Sequence, residues 1–316
     1  MPLLTVLIPT YNRKNSLSRT LDSLQKQQRY DFNIVISDNC SNYSIENEVL
    51  SLLDDSFRSR ITVFHHPFNV GGTDNIIGLI SLCKTKWGWM LGDDDFVHEE
   101  AIKSILSTIN SSPEVGAAWY TLETTPLKEE KIQSMIDLVS IIDSIKENRN
   151  GDFIFCSNKV YNIDEIKSYM EIVHRFSYTR IAQCFPFVEL LKDHKPILII
   201  RGTPIVKHSG GSPSWDINKT VSGLSTLIDY PTGLSWKKHC EFVKAVMFPP
   251  KFVFSCYLRD GQLPWNYKSY LRNLYSGCYK YCYHGFYRLF IMLFCNMGST
   301  KIGYKVLKTL YSYKRK

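Results

Sequence analysis

Three consecutive aspartates, Asp93, Asp94 and Asp95, follow an apolar stretch at residues 87–91 after a single glycine, and that stretch has the character of a buried strand. Adjacent carboxylates repel one another, so burying them together requires a cation. Hard oxygen ligands at the end of a strand suit Mg²⁺ or Mn²⁺ that also binds the phosphates of a substrate. A solvated acidic turn that caps the following helix explains the triplet alone equally well.

Polar or turn-forming residues also follow two earlier apolar stretches, at residues 4–8 and 32–37. The residues of interest there are Pro9, Thr10, Tyr11, Arg13 and, after the second stretch, Asp38. A carboxylate in such a position can accept a hydrogen bond from a nucleobase N–H, and a tyrosine can stack on a base. Taken singly, each stretch is more typical of a turn than of a binding site. Three polar strand ends in one parallel sheet, however, meet at the edge where such sheets bind ligands.

The elements that would bring these residues together alternate along the first 120 residues. Apolar runs predict strands, and helical spacing predicts the helices between them, for example Leu17, Leu21 and Leu24 at positions i, i+4 and i+7. Repeated βα units predict an α/β fold with a doubly wound, mostly parallel sheet. The second half is less regular, with strands predicted at 152–161 and 196–200 and helices at 132–146 and 181–192.

The composition is that of a globular protein. With 316 residues, 44% hydrophobic and 22% charged, the chain does not fit the disordered, collagen-like or coiled-coil classes. Nine cysteines without a CxxC pair predict reduced thiols in a cytosolic protein. The first residues lack the pattern of a signal peptide, and no apolar run approaches the roughly 20 residues that span a bilayer. We therefore expect a cytoplasmic protein that is soluble or peripheral at the inner face of the cell membrane.

The net charge of +8 is concentrated in one region. Residues 261–316 carry ten Lys or Arg and no Asp or Glu, so residues 1–260 have a net charge of −2. Ten tyrosines lie between residues 265 and 316, and the whole segment is predicted to be a helical, aromatic-rich basic extension. This composition favours a helix that lies on an anionic membrane surface. A helical subdomain packed on the main body is the next alternative, and nucleic-acid binding is the least favoured.

The motifs PTYNR, SDNCS, NVGG and WMLGDDD, in this order along the chain, resemble those of glycosyltransferase family 2, of the type that acts in bacterial surface-polysaccharide synthesis. The resemblance is strong over residues 3–120 and weak over residues 150–210. It implies the nucleotide-diphosphosugar (GT-A) fold. In that fold residues 1–120 would form the nucleotide-sugar-binding half, residues 121–260 the acceptor-binding half, and residues 261–316 the basic extension.

The resemblance also implies roles for individual residues. Asp38 would contact the nucleobase, and the acidic triplet would bridge ribose, metal and diphosphate. The residues implied in nucleotide binding are Pro9, Thr10, Tyr11, Arg13, Asp38, Asn69, Gly72, Asp93 and Asp94. Those implied in binding Mn²⁺ or Mg²⁺ are Asp94, Asp95 and His208, with a surface or packing role as the alternative for the histidine. The family's commoner motif is Asp-X-Asp-Asp, and Gly92 replaces its first aspartate, which leaves open whether Asp94 or Asp95 is the principal metal ligand.

Transfer with inversion requires a base that takes the proton from the acceptor hydroxyl. The stretch expected to hold it, residues 178–191, has Glu189 as its only carboxylate, with Asp193 and Asp216 nearby. A solvated helical residue is the alternative interpretation of Glu189. The implied activity is an inverting, metal-dependent transfer of a sugar from a nucleotide-diphosphate sugar to a glycan acceptor that is carried on a polyprenyl diphosphate in the membrane.

Two other functions fit the same features. A nucleotidyltransferase would use the same sheet and metal, but it should have a basic glycine-rich loop near the amino terminus, which this sequence lacks. A non-catalytic module that binds sugar nucleotides and recruits other enzymes stays open, because no residue stands out as the base. The absence of GxGxxG and GxxxxGK[ST] motifs disfavours dinucleotide-binding and P-loop sites.

Overall fold

The computed structural model describes residues 2–27, 31–145, 149–207, 223–224, 227 and 229–247, and then positions 286, 289, 293, 296, 297 and 300–313. The strands are β1 (Leu4–Thr10), β2 (Phe32–Asp38), β3 (Ile61–His65), β4 (Trp87–Met90), β5 (Phe96–Val97), β6 (Ala117–Tyr120), β7 (Lys128–Ile132), β8 (Lys159–Asn162), β9 (Ile197–Arg201) and β10 (Val206–Lys207). The helices are α1 (Lys14–Gln25), α2 (Ile45–Glu48), α3 (Asp55–Arg58), α4 (Gly72–Leu82), α5 (Ala101–Ser111), α6 (Met135–Ser144), α7 (Arg149–Ile154), α8 (Ile163–Ile166), α9 (Met170–Arg175), α10 (Phe185–Lys192), α11 (Trp236–Val246) and α12 (Lys301–Tyr313).

Eight of the strands form one sheet in the order β3-β2-β1-β4-β8-β6-β9-β7. Neighbours among β3, β2, β1 and β4 are parallel, and β6 is parallel to β9. Because β8 is antiparallel to both β4 and β6, and β7 is antiparallel to β9, only β7 and β8 run against the other strands of this sheet. The predicted α/β fold with a mostly parallel sheet is therefore confirmed. β5 and β10 pair separately as a short antiparallel ribbon.

Both faces of the large sheet are covered. Along β1 every residue from Leu4 to Ile8 is buried. The side chains of this strand alternate between two cores, with Leu7 in one and Val6 and Ile8 in the other. A strand that is buried on both faces reads as a continuous apolar run, which is why the sequence predicts it. The buried leucines of α1 join the second core, as their helical spacing predicts.

The second half differs from the prediction in two places. Residues 152–154 end α7 rather than begin a strand, and β8 follows after a short loop. The buried carboxylate of Asp152 accepts hydrogen bonds from the indole of Trp119 at 2.9 Å and the amide of Leu122 at 2.8 Å, which fixes α7 against the end of β6. The edge strand β7 was not predicted at all. Its sequence, KEEKI, buries only Ile132 fully and has no apolar alternation.

The sheet runs through the boundary predicted at residue 120. β6 ends there and lies between β8 and β9, which both belong to the second half. Residues of the two halves, such as Leu7 and Ile199, contribute to the same core. A donor half and an acceptor half would therefore be two regions of one folded unit, and their separate roles stay a prediction.

The basic extension is described at only some positions. α12 is helical, and its Leu307 packs against the core of the main body. Phe286, Leu289, Leu293 and Met297 are also helical, and their side chains are exposed. Within the part of the chain that the structure describes, no helix combines the length and the apolar character needed to cross a membrane.

Candidate nucleotide-binding site

The carboxyl ends of β1, β2 and β4 meet at one edge of the sheet. β1 and β2 are in register up to their last residues, where Thr10 pairs with Asp38. The hydroxyl of Thr10 donates a hydrogen bond to Oδ2 of Asp93, which lies just beyond β4, at 2.8 Å. The structure therefore brings the first two motifs and the acidic triplet together.

Arg13 places a positive charge between two of the three aspartates. Its Nη1 atom donates to Oδ1 of Asp93 at 2.8 Å and to Oδ2 of Asp94 at 3.0 Å. Burial raises the pKa of Asp93 to about 6, and the charge of Arg13 opposes this rise. The protein itself thus supplies part of the positive charge that buried, adjacent carboxylates require.

Asp95 has a different partner. It is only 2% exposed, and its Oδ2 atom accepts a hydrogen bond from the hydroxyl of Ser157 at 2.5 Å. The oxygen of the same hydroxyl accepts the amide hydrogen of Gly92 at 2.8 Å. A Cβ atom on residue 92 would lie 2.8 Å from Oδ2 of Asp95, so a side chain does not fit there unless its neighbours move. This close approach explains the glycine at the position where the related motif has aspartate.

Asp94 is the most accessible of the three aspartates. Its side chain is 20% exposed, compared with 6% for that of Asp93. A ligand that approaches the triplet from solvent therefore meets the carboxylate of Asp94 first.

Asp38 is buried at the end of β2 with a partner for each oxygen. Oδ1 accepts from the amide of Ser41 at 3.0 Å, and Oδ2 lies 3.0 Å from Nδ1 of His65. The other ring nitrogen of His65 lies 2.7 Å from Oε1 of Glu46. Because carboxylates only accept hydrogen bonds, a protonated imidazole between two of them donates from both nitrogens. The pKa of His65 is raised, first by the hydrogen bond with Glu46 and then by that with Asp38, against the opposing effect of burial.

The turn that follows β3 is fixed to the loop that follows β2. Nδ2 of Asn39 donates a hydrogen bond to Oδ1 of Asn69 at 2.9 Å. Oδ1 of Asn39 accepts a hydrogen bond from the backbone amide of the residue after Asn69 at 2.8 Å. Gly71 has a φ of 92°, in the left-handed region that favours glycine. α4 begins at the next residue, Gly72. Asn69 and Gly72, both predicted to bind the nucleotide, thus lie on a turn that is attached directly beside Asp38.

Two tyrosines belong to this edge. Tyr11 was predicted, and its side chain is exposed, as stacking on a base requires. Tyr43 was not predicted. It is half-buried, and its hydroxyl oxygen is buried beside the hydroxyls of Thr10 and Ser41. Like His65, Glu46 and Ser157, it lies outside the sequence motifs. Of these, His65 ends the short apolar segment that forms β3, which pairs with β2 and places His65 beside Asp38.

Glu189, the predicted base, lies elsewhere. It is buried on α10, where it accepts a hydrogen bond from the hydroxyl of Tyr230 at 2.7 Å and pairs with Lys192 at 2.9 Å. The next residue, Leu190, lies against Gly116, directly before the amino end of β6. Because β6 runs in the same direction as β4, this end of the sheet is opposite to the edge that carries the acidic triplet. The structure thus does not bring Glu189 to the triplet, and the alternative of a solvated helical residue is wrong because the side chain is buried.

A metal ion at this edge would depend on the triplet. Within the described ranges, no group of three or more His, Cys, Asp or Glu side chains is arranged to hold a metal ion by itself. Mg²⁺ or Mn²⁺ that also binds substrate phosphates needs fewer protein ligands, because one or two carboxylates and the phosphate oxygens together hold the ion. The carboxylate of Asp94, which is the most accessible of the three and already attracts the guanidinium of Arg13, fits this requirement. His208, the third predicted ligand, and Asp216 lie outside the described residues.

Comparison with known proteins gives matches in sequence and in fold. The abequosyltransferase RfbV of Salmonella typhimurium is 28% identical over 115 residues, which cover 36% of this chain and 34% of RfbV. The GalNAc(5)-diNAcBac-PP-undecaprenol β-1,3-glucosyltransferase of Campylobacter jejuni is 26% identical over 110 residues, 35% of each chain. This chain therefore matches only about a third of the length of these two relatives. The crystal structure of S. aureus TarS 1–349 in complex with UDP superposes with a TM-score of 0.63 at 14% identity, covering 100% of this chain and 92% of that one, which shows a shared fold.

The family model described as Glycosyl transferase family 2 matches residues 5–171. This range contains β1 from its second residue, β2 to β4, the acidic triplet and Ser157, so it includes every hydrogen bond described where β1, β2 and β4 end. Because the match covers more than half of the chain, this protein belongs to glycosyl transferase family 2.

Proposed function

We propose that this protein is a glycosyltransferase that binds a nucleotide-diphosphate sugar at the carboxyl ends of β1, β2 and β4 and transfers the sugar to a glycan acceptor. The observation that carries this proposal is the cluster in which Thr10 and Arg13 contact Asp93, and Arg13 also contacts Asp94. It joins the ends of β1 and β4, and Thr10 also pairs in register with Asp38 at the end of β2, so the three strand ends form one polar site where α/β sheets bind ligands. Family membership supports the same reaction class.

The nucleoside would occupy the side of the site near β2. Asp38 is held in place by Ser41 and His65 and would accept a hydrogen bond from an N–H of the base. The exposed ring of Tyr11 would stack on the base. The other residues proposed to line this pocket are Pro9, Thr10, Asn69 and Gly72.

The diphosphate would lie over the triplet, with Mn²⁺ or Mg²⁺ held by Asp94, the accessible carboxylate, and with Asp95 as the second predicted ligand. A divalent ion there would supply positive charge that stabilises the departing nucleoside diphosphate. Arg13 would add to this, because its guanidinium is planar, always charged and well matched to phosphate oxygens. On this proposal Arg13 is shared between the aspartates and the diphosphate when the donor binds.

Sugar transfer with inversion at the anomeric carbon requires a base that removes the proton of the acceptor hydroxyl. Glu189 stays a prediction from the sequence, since its contacts with Tyr230 and Lys192 give it a structural role in the buried environment of α10. Two carboxylates nearby in sequence keep this role open, Asp193, which accepts a hydrogen bond from Tyr169, and Asp216, which lies outside the described residues. Inversion is thus proposed without an assigned base.

The acceptor is proposed to be a glycan on a polyprenyl diphosphate, with the protein peripheral at the inner face of the membrane. The Campylobacter jejuni relative is named as acting on an undecaprenol-linked glycan, which supports this class of acceptor. The basic extension carries ten cations and no acid. Its exposed apolar residues include Phe286, Leu289, Leu293 and Met297, a combination that suits an anionic membrane surface.

Activity on a panel of substrates tests the proposal and separates it from its alternatives. The full chain is incubated with UDP-, GDP-, CDP- and dTDP-sugars, Mn²⁺ and bacterial polyprenyl-linked glycans, and both sugar transfer and nucleoside diphosphate release are measured. The proposal predicts transfer from one donor, with a large loss in Asp94→Asn. In a parallel incubation with nucleoside triphosphates and a sugar phosphate, release of pyrophosphate would instead support a nucleotidyltransferase. Binding without any turnover would support a non-catalytic module.

A further inference from the structure

His65, the last residue of β3, links two carboxylates at the base end of the proposed donor site. Its Nδ1 atom lies 3.0 Å from Oδ2 of Asp38, and its Nε2 atom lies 2.7 Å from Oε1 of Glu46 on α2. Because ionised carboxylates only accept hydrogen bonds, both contacts are made only when both ring nitrogens carry a hydrogen. The arrangement therefore fits an imidazolium held between two anions.

The three side chains differ in exposure. The exposed fraction is 4% for Asp38, 46% for His65 and 49% for Glu46. Glu46 can turn to water if it loses its donor, whereas a buried carboxylate without a donor costs desolvation energy. Asp38 can still accept from a ligand, because each of its oxygens has one donor, Ser41 or His65, and a second lone pair. His65 thus restrains the orientation of the carboxylate that the base would meet.

The electrostatics of the bridge favour its charged form. Among the residues that the structure describes, the charged groups that face His65 are Asp38, from β2, and Glu46, from α2. The hydrogen bond with Glu46 raises the pKa of His65 most, burial opposes this, and the hydrogen bond with Asp38 adds to the rise. Burial would raise the pKa of Glu46, but its hydrogen bond with His65 contributes to an overall lowering. His65 therefore loses its proton only as the pH rises above the ordinary histidine value of 6.5.

Loss of this proton changes the partner of Asp38. A neutral imidazole has one N–H, so one of the two carboxylates loses its donor. If Glu46 keeps the hydrogen, a lone pair of Nδ1 faces Asp38. If Asp38 keeps it, a charge-assisted hydrogen bond becomes a neutral one, which is about half as strong. In both cases a positive charge disappears beside a site proposed to bind an anionic ligand, so nucleotide binding weakens.

We propose that His65, bridged to Glu46, is a positioning residue that holds the carboxylate of Asp38 for the nucleobase, so that nucleoside diphosphate affinity falls as His65 loses its proton. This inference rests on the proposed function, since it requires a nucleoside diphosphate at this edge. His65 acts through Asp38 and not on the reacting atoms. The effect should therefore appear in the Kd and KM of the donor and not in kcat at saturating donor.

Calorimetric titrations between pH 6 and pH 8.5 test the inference. Wild type and His65→Asn are titrated with the tightest binder among UDP, GDP and CDP, in the presence of Mg²⁺. Comparison at the same pH cancels the ionisation of the phosphates, which is common to both proteins. At pH 6, His65→Asn should bind about 2- to 12-fold more weakly, the range expected for one hydrogen bond. The difference should shrink towards pH 8.5.

Two variants of α2 show whether the bridge to Glu46 sets this pH dependence. Glu46→Gln removes the anion that favours the imidazolium, so the fall in affinity should occur at a lower pH than in wild type. Glu48→Gln removes a charge from the same helix, but the partner of Glu48 is Lys14, at 2.7 Å. This control should keep the wild-type midpoint. Melting temperatures at each pH verify that all four proteins are folded.

Two results would overturn the inference. One is a ratio of affinities between wild type and His65→Asn that is the same at every pH. The other is a midpoint that Glu46→Gln leaves where Glu48→Gln has it. Failure of wild type to bind any nucleoside diphosphate at any pH is a different result, because it contradicts the proposed function itself and the inference with it.

Discussion

The hydroxyl of Ser157 donates a hydrogen bond to the buried carboxylate of Asp95 at 2.5 Å, across 62 residues of chain. Ser157 lies between α7 and β8, and its carbonyl also accepts the indole N–H of Trp89 in β4 at 2.8 Å. The loop before β8 is therefore bonded both to β4 and to the acidic triplet that follows it. The second half of the chain positions a residue that belongs to the first.

Ser157→Ala should destabilise the protein and weaken metal-supported nucleotide binding. The change leaves both the carboxylate of Asp95 and the amide of Gly92 without their buried partner, at an expected cost of about 1–3 kcal/mol in the free energy of unfolding. Urea unfolding measures the first effect, and titration of nucleoside diphosphate with and without Mn²⁺ measures the second. Ser140→Ala, at an exposed position on α6, is the control and should change neither. Full stability in Ser157→Ala would contradict the structural role of this hydrogen bond.

The contribution of His65 to stability should depend on pH. Its pKa in the folded protein is raised above the ordinary value of 6.5, mainly by its hydrogen bond with Glu46. Its stabilising effect is therefore fully present below about pH 6.5 and is lost as the pH rises through the raised pKa. His65→Asn can keep a donor near Asp38 but cannot titrate. The free energy of unfolding should fall by more in this variant at pH 6 than at pH 9, and an equal loss at both values would contradict a protonated His65.

Glu189→Gln should impair stability more than catalysis. The substitution removes the charge that pairs with Lys192 but keeps an oxygen that can accept from the hydroxyl of Tyr230. Removal of a general base typically lowers the rate by about 10²- to 10⁴-fold. We expect a fall in kcat of less than tenfold, and Lys192→Gln should resemble it in a thermal-unfolding assay. A loss of 100-fold or more in Glu189→Gln with unchanged stability would restore Glu189 as the base.

Membrane binding should depend on exposed apolar residues of the basic extension. The double variant Phe286→Ser and Leu293→Ser removes two exposed side chains, so it should weaken binding to vesicles that contain anionic lipid without changing the melting temperature. Binding of the wild-type chain should also weaken as salt is raised, because the ten cations act electrostatically. Leu127→Ser, an exposed leucine of the main body, serves as the control. Vesicle sedimentation that is equal for all three proteins would contradict the proposed membrane contact.

The strand ends of the site could be predicted because each follows a run of residues that is buried on both sides. β1, β2 and β4 lie side by side in parallel, so polar residues at or just beyond their carboxyl ends, such as Thr10, Asp38 and Asp93, must meet in space. Neither the individual hydrogen bonds nor the burial of Asp95 could be predicted in this way. They depend on Ser157, which no sequence motif includes, and on the missing side chain of Gly92.

Elements with polar sequences were harder to predict. β7 is an edge strand whose outer side faces solvent, so its residues, KEEKI, need no apolar alternation. The apolar residues near Phe153 are typical of a strand, but this segment forms the end of α7. There the carboxylate of Asp152 accepts hydrogen bonds from Trp119 and Leu122. Likewise, a carboxylate on a helix such as Glu189 has no sequence signal that distinguishes a buried ion pair from a base.

Calorimetric titration of the full chain with UDP, GDP, CDP and dTDP in the presence of Mn²⁺ tests the central claim most directly, which is that a nucleoside diphosphate binds where β1, β2 and β4 end. The claim predicts that one of the four binds wild type at one site. Asp38→Asn should weaken that binding at least tenfold, as expected for loss of a hydrogen bond to a charged group, about 1.5–3 kcal/mol. Asp193→Asn, whose carboxylate contacts Tyr169 beyond α10, should bind like wild type. No binding by any of the four, or equal binding by wild type and Asp38→Asn, would contradict the claim.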